Sequence, residues 1–303
     1  MKNKQKNSIL TMDKVGKGFE IFLLVFLIVY CISLLIPLTW MLIASFKSFD
    51  DYILNTFSLP KQWKFSNYLE VFDVFKVQYK GKNGGRVTYG FMSMTFYSII
   101  WTFGCSLIHV AITSMCAYAL SGFQFKGRQF LYNLGIVVMI VPIVGSMPSA
   151  LILREQLGIR NNMLLLLLTS ESCAFSGLHF LLLYAAFKGI STTYREAVYI
   201  DGGNNYTAFF KVILPMILPS MVAVFVLKFL ATWTDYNTFL IWLPSYPSLS
   251  VGMYLFEQSA TKKGVTMPVV LATFVVVIIP TTALYLCTQN ILMSKFTVGG
   301  LKG

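Results

Sequence analysis

Charge is scarce in this chain. Only 12% of its 303 residues are Asp, Glu, Lys or Arg, against roughly 25% in soluble globular domains. At that density charged side chains cannot cover a water-soluble surface, which excludes a disordered chain, a coiled coil and a cytosolic enzyme. Histidine is rarer still: His109 and His179 are the only 2, in different apolar segments. There is no H-E-x-x-H, no G-x-S-x-G and no metal-spaced Cys/His cluster, which leaves a membrane-embedded enzyme with little to work with. Cys31, Cys105, Cys116, Cys173 and Cys287 form no C-x-x-C pair and lie within apolar runs, as small buried hydrophobes. No G-x-x-x-x-G-K-[ST] occurs, so the chain has no P-loop of its own for ATP. What is plentiful is apolar: 56% hydrophobic and 16% aromatic residues, with mean hydropathy +0.68. The composition is that of an integral membrane protein, and the net charge of +12 fits loops facing anionic headgroups better than nucleic acid.

A spanning helix needs about 20 mostly apolar residues, because its backbone must be satisfied internally across roughly 30 Å of hydrocarbon. Six segments qualify: Phe19 to Ala44, Phe91 to Leu120, Phe130 to Leu153, Met163 to Phe187, Ile217 to Leu243 and Val269 to Ile291. The expected fold is therefore all-α, a polytopic membrane bundle of six transmembrane helices. The first segment is too long for a signal-peptide core and lacks an A-x-A site, so it is expected to remain as an anchor. An even number of crossings puts both termini on one side. The cations divide almost evenly across the membrane, but five lysines in the first seventeen residues and the Lys126–Arg128 pair favour cytoplasmic termini. The expected organisation is a cytoplasmic segment 1–18, a first helix 19–45, an extracellular polar loop 46–90, a five-helix core 91–291 and a cytoplasmic tail 292–303.

Between spans four and five the chain reads STTYREAVYIDGGNNYTAFFKVILPMILP from Ser191 to Pro219. Thr193 and Glu196 have the T-x-x-E spacing of a capping box. Gly202 and Gly203 supply a helix stop and a turn that tolerates positive φ. A second helix begins near Asn205, with Tyr206, Phe209, Phe210 and Ile213 at helical spacing, and Pro215 and Pro219 mark entry into the fifth span. Such a helical hairpin with apolar positions suits docking into a partner's groove; an amphipathic pair lying on the bilayer would have the same composition.

The order Glu196-Ala197-Val198, Gly202, Val212, Leu214-Pro215 resembles the EAA signature loop of permease subunits in bacterial ABC importers, with Val198 in place of the second Ala and Val212 in place of Ile. Further stretches are similar to the carbohydrate branch of that family, in particular the second permease of maltose-type importers. These are Ala117-Tyr118-Ala119-Leu120 with Phe123 and Phe125-Lys126-Gly127-Arg128, Ile200-Asp201-Gly202, Trp233-Thr234-Asp235, the loop from Leu59-Pro60 to Asn67-Tyr68, and the ending Thr297 to Gly303. The resemblance implies a non-catalytic subunit in the bacterial cytoplasmic membrane, paired with a second permease. Two ATP-binding cassette subunits would use the ATP and Mg²⁺, and an extracellular solute-binding protein would deliver sugar. It further implies that Arg195, Glu196, Ala197, Ile200, Asp201, Gly202, Gly203, Leu214 and Pro215 form the joint that couples the spans to the ATPases.

Ionisable residues inside a membrane cost about 2.5–3.5 kcal/mol each on insertion scales and usually face a bundle interior or a cavity. Here they are His109, Glu171, His179, Lys228 and Asp235. Glu171 and Asp235 could accept hydrogen bonds from sugar hydroxyls, and Trp233, Tyr236 and Trp242 could stack on sugar rings; interhelical pairing and interfacial anchoring account for the same residues. Pro142 and Pro148 are expected to kink span three. A stand-alone secondary carrier or channel is the alternative function, since Glu171 and Asp235 could serve ion coupling.

Overall fold

The computed structural model describes residues 2–81, 85–141, 145, 147–170, 175–260 and 264–296. Two compact units are present. One is built from the residues up to Val74 together with Ala260–Val276, the other from Phe75–Ser259 with the residues from Val277 onward. Among the described residues, four helices are long and apolar enough to cross a membrane: Lys17–Ser45, Phe91–Gly122, Asn205–Thr234 and Met267–Asn290. They answer to the predicted first, second, fifth and sixth spans.

In the first unit, α1 (Lys2–Ser45) runs unbroken through Pro37. It is followed by α2 (Phe49–Leu54) and α3 (Ser66–Val74). A knot of polar groups fixes the exit from α1. The Lys47 side chain, with no exposed surface, donates to the Asn55 and Thr56 carbonyls at the end of α2, where a cation complements the helix dipole. Asn67 donates to the Ser45 and Lys47 carbonyls at 2.8 and 2.9 Å, satisfying two acceptors that α1 leaves at its exit.

The second unit begins with a hairpin of β1 (Val77–Lys80) and β2 (Arg86–Tyr89), antiparallel with Val77 opposite Tyr89. The hairpin lies in the 46–90 segment read from the sequence as a polar loop, and is the only strand pairing among the described residues of an otherwise helical chain. The Gly81 amide donates to the Gly85 carbonyl at 2.7 Å, and a Cβ on Gly81 would meet Val87 at 2.7 Å, so the turn needs glycine there. Two strands alone are marginal; this pair is fixed by the burial of Val77 and by the Tyr89 hydroxyl donating to the Ser245 carbonyl.

Next comes α4 (Phe91–Gly122), whose buried face carries Ser98, Thr102, Ser106, Thr113, Ser114 and Ala117. Small side chains at three- and four-residue spacing let neighbouring backbones approach, the usual basis of helix packing in membranes. The predicted third span is two helices, α5 (Arg128–Ile140) and α6 (Met147–Gln156), and the predicted fourth is α7 (Met163–Leu168) and α8 (Leu178–Lys188). The backbone explains both divisions. Val141 is extended and Gly145 has φ +82° after α5, while Gly177 at φ +87° precedes α8. Pro142 lies outside the described residues, and Pro148 sits in the first turn of α6.

After the short α9 (Thr193–Ile200) and α10 (Asn205–Thr207), a π-helical turn at Ala208–Ile213 leads directly into α11 (Leu214–Thr234). The predicted fifth span therefore starts earlier than Ile217 and ends at Thr234; α12 (Asn237–Trp242) follows a break at Asp235. The wider turn accommodates Pro215, which has no N–H to return to the carbonyl four residues back. α13 (Leu249–Ala260), unforeseen in the sequence, buries Leu249, Val251 and Phe256. α14 (Met267–Phe296) is the last helix. α4, α8 and α11 pack on one another around Val110, Ala117, Phe180, Leu183, Ile217 and Val224.

Candidate functional site: the helical hairpin after α8

The hairpin stands on the three-helix core through its second arm. Ala208 and Ile213 are buried and Phe209 packs against the core, whereas Ile200, Tyr206 and Phe210 are 86%, 76% and 56% exposed. Its turn is set by backbone chemistry. Asp201, Gly202 and Gly203 amides return to the carbonyls of Ala197, Tyr199 and Val198, and Gly202 takes φ +79°, a helix stop that satisfies otherwise orphaned carbonyls. Asn204 then caps the second arm, its side-chain oxygen accepting the Thr207 amide at 2.9 Å.

The predicted Thr193–Glu196 capping box does not form. Thr192 already has helical backbone angles, so α9 starts one residue early and Thr193 lies within its first turn. The Thr193 hydroxyl pairs with that of Ser191 at 2.8 Å.

Of the nine residues assigned to the joint, Glu196, Ala197, Ile200, Asp201, Gly202 and Pro215 are exposed, while Gly203 and Leu214 are half-buried. Arg195 turns inward. Its Nη1 donates to the Gly122 carbonyl at 2.6 Å, and its guanidinium lies 5.6 Å over the Phe123 ring. Tyr118 fills the space beneath, its ring 4.7 Å from Phe209, 5.3 Å from Phe123 and 5.5 Å from Phe187. A groove of about 550 Å³ opens between the end of α4 and the first arm, bordered by Phe123, Arg128, Arg195, Glu196 and Tyr199. Sequence reasoning missed Tyr118, Gly122 and Phe123 as partners of the hairpin. Tyr118 and Phe123 stood in the quoted resemblance, but nothing there named what they touch.

Of the residues proposed for a substrate pathway, Trp233, Asp235 and Tyr236 each have a packing or capping partner. Trp233 is buried and stacks on Phe229 at 5.8 Å. Tyr236 lies parallel to Tyr254 with rings 5.1 Å apart. Asp235 caps α12, one oxygen accepting the Thr238 amide at 3.2 Å and the other the Thr238 hydroxyl. Glu171 lies outside the described residues, as does the Thr297–Gly303 ending. His109 and His179, on separate helices, meet with ring nitrogens 2.8 Å apart between α4 and α8.

No family model matches the chain. The chain is 30% identical over 210 residues to "Diacetylchitobiose uptake system permease protein NgcG" of Streptomyces coelicolor, an alignment covering 69% of this chain and 65% of that protein. It is 26% identical over 306 residues to "Arabinooligosaccharides transport system permease protein AraQ" of Halalkalibacterium halodurans, covering 100% of both. Among solved structures it resembles a chain from "Crystal structure of a bacterial ABC transporter involved in the import of the acidic polysaccharide alginate", with TM-score 0.72 and 23% identity over 90% of this chain and 96% of that one. At that identity the likeness is one of fold.

Proposed function

We propose that this chain, which is similar to permeases of carbohydrate ABC transporters, is such a permease and forms a sugar pathway across the cytoplasmic membrane with a second permease chain. In this arrangement α5 with α6, and α7 with α8, each serve as one crossing, so the bundle has six and both termini are cytoplasmic. The carrying observation is the hairpin from Thr193 to Pro215: its outer side is exposed and apolar at Ile200 and Tyr206, and its inner side is tied to α4 through Arg195. Exposed apolar side chains on a rigid turn suit docking into a groove of another protein, and that protein is an ATP-binding cassette subunit.

The mechanism follows from the two faces of the joint. ATP and Mg²⁺ act in the partner subunits, whose closure displaces the exposed turn. The displacement reaches α11 through the continuous chain at Ala208–Leu214 and α4 through the Arg195–Gly122 bond, so two of the three core helices move with the hairpin as a rigid body. A solute-binding protein delivers an oligosaccharide on the opposite face.

Cysteine placed at Ile200 tests the docking. In membranes holding the chain with its co-expressed ATPase, a bifunctional crosslinker is expected to join the two. Failure to crosslink in a complex that hydrolyses ATP and imports sugar would overturn the docking role.

A further inference from the structure

The chain that follows α1 is less polar than a loop between spans needs to be. Leu54, Phe57 and Leu59 are 77%, 88% and 69% exposed, and Trp63 and Phe65 are exposed as well. So many large apolar side chains shown by one short segment mark a surface that something covers. The segment also carries charge of one sign. Between Asp51 and Glu70 the charged residues are Lys61 and Lys64, both exposed. Lysine interleaved with aromatic residues, as in Lys61-Gln62-Trp63-Lys64-Phe65, is the composition of a membrane-interface segment.

Two tethers fix how deep the segment sits. The Trp40 indole donates to the Thr56 carbonyl at 3.1 Å, and its ring lies 6.0 Å from that of Phe57. The chain beyond α2 thus folds back beside α1, to a level five residues before the helix ends at Ser45, about 7 Å along its axis. Trp40 in turn lies nineteen residues beyond Ile21, which follows the last charged residue of α1, Glu20. That is about 28 Å of helix, close to the roughly 30 Å of a hydrocarbon core. Where α1 crosses, Phe57 therefore stands at the boundary between acyl chains and headgroups. None of α1's apolar span is buried within the chain, so the lipid around it continues onto Phe57. The second tether is the Lys64 amide, which donates to the Phe46 carbonyl at 2.8 Å and holds Trp63 and Phe65 with rings 5.4 and 5.1 Å from that of Phe46, just past the helix end. Irregular backbone tolerates such a depth only where protein meets its polar groups. Here Lys47 donates to the Asn55 and Thr56 carbonyls, Trp40 to the latter, and the Asp51 carboxylate accepts the Lys61 amide.

We infer that residues 53–65 form an interfacial anchor, a strap lying in the surface of the bilayer at the exit of α1. Phe57 and its apolar neighbours meet acyl chains, and Lys61 and Lys64 meet the phosphates of anionic lipids. Continuity with the span of α1 and a segment charge of one sign select lipid as the occupant of this surface. The inference needs α1 to cross the membrane and is independent of what the chain transports.

The test places a tryptophan in the strap. Phe57→Trp, and Leu59→Trp as a second site, exchange exposed side chains and so leave the fold intact. The full chain, with whatever subunits copurify, is reconstituted in liposomes of phosphatidylethanolamine and phosphatidylglycerol brominated near the carbonyl end of their acyl chains, where bromine quenches only an indole in contact with it. Subtracting the wild-type emission isolates the added indole. Brominated lipid is expected to quench it at least about twofold relative to unbrominated liposomes, as for a side chain at the headgroup–acyl boundary. Lys61→Gln with Lys64→Gln in the same chain is expected to weaken that quenching, because the attraction to phosphatidylglycerol is lost. Equal quenching with and without the lysines would overturn the headgroup contact. Added indoles that brominated lipid leaves bright at both sites would overturn the anchor. Acrylamide then tells what replaces it: it quenches a loop in water and spares a surface covered by another subunit or a binding protein.

Discussion

Arg195 on the hairpin donates to the carbonyl of Gly122 at the end of α4, across 2.6 Å. The contact joins residues seventy-three apart in sequence, and the acceptor lies in the last turn of α4, where the helix dipole favours a cation. A charge-assisted bond of this kind is worth about 1.5–3 kcal/mol when buried and less when partly wet; Arg195 is half-buried. Arg195→Ala is expected to leave ATPase copurification unchanged while lowering sugar imported per ATP hydrolysed by about fivefold, since about 1 kcal/mol of the tie is lost. Arg195→Lys keeps the charge but not the planar contact with Phe123, and falls between. Unchanged stoichiometry in Arg195→Ala would show that force passes through the chain at Ala208 alone.

Gly203 and Val198 are matched to one another. A Cβ on Gly203 would lie 2.5 Å from Val198 Cγ1 and 2.9 Å from the Val198 carbonyl. Val198 is also the position where this chain departs from the Ala of the signature. Gly203→Ala is expected to open the turn and reduce uptake, and Val198→Ala in the same chain to recover part of it by removing the side-chain half of the clash. Absence of any recovery would place the cost entirely on the backbone oxygen.

The turn at Gly202 and the second arm at Asn205 were legible because their signals are local: glycine where φ is positive, and a capping residue before an apolar stretch. Four spans were legible from hydropathy alone. The divisions within the third and fourth were not, because counting apolar residues locates membrane-compatible sequence without locating helix ends. Gly145 and Gly177 marked those ends, but glycine is common in membrane helices and carries no direction by itself. The start of α9 was misplaced for a related reason. A T-x-x-E spacing describes a possible cap, and the Ser191–Thr193 hydroxyl pair competes for it. The Arg195–Gly122 tie was beyond reach, since it depends on which helices touch.

Asp51 makes the first unit sensitive to acid. The Lys61 amide donates to its carboxylate at 3.0 Å and holds its pKa below the usual 3.8, aided by the Asn55 side chain and the charges of Lys47 and Lys61, against the opposing effect of burial. A carboxyl whose pKa is lowered by folding contributes stability that is whole above its unfolded pKa and is lost as pH falls through the folded value. The loop around α2 should therefore hold at neutral pH and loosen only in acid below the ordinary carboxylate range. Trp63, whose ring lies 5.4 Å from Phe46, reports on that loop. Its fluorescence in detergent micelles, titrated down to about pH 2, should show a transition that Asp51→Asn removes. A variant that titrates like the wild type would assign the transition to another carboxyl.

Asn161 is the only described residue other than glycine with positive φ, at 61°. Its amide donates to the Trp242 carbonyl at 2.8 Å, its side-chain oxygen accepts the Ser245 amide at 3.0 Å, and its side-chain nitrogen donates to the Ser245 hydroxyl at 3.1 Å. The residue thus clamps the turn after α6 to the segment after α12, and asparagine suits it because a short amide side chain tolerates the left-handed region. The two side-chain bonds contribute about 1 kcal/mol each, and a Cβ-bearing residue without them adds about 1 kcal/mol of backbone strain. Asn161→Gly loses the bonds alone and Asn161→Ala loses the bonds and bears the strain. Thermal unfolding in detergent should rank wild type above Asn161→Gly and Asn161→Gly above Asn161→Ala, with steps of about 2–4 °C per kcal/mol for a domain near this size. Equal losses in the two variants would mean that the turn relaxes to negative φ once the side-chain bonds are gone, and that the clamp, not the backbone, sets its shape.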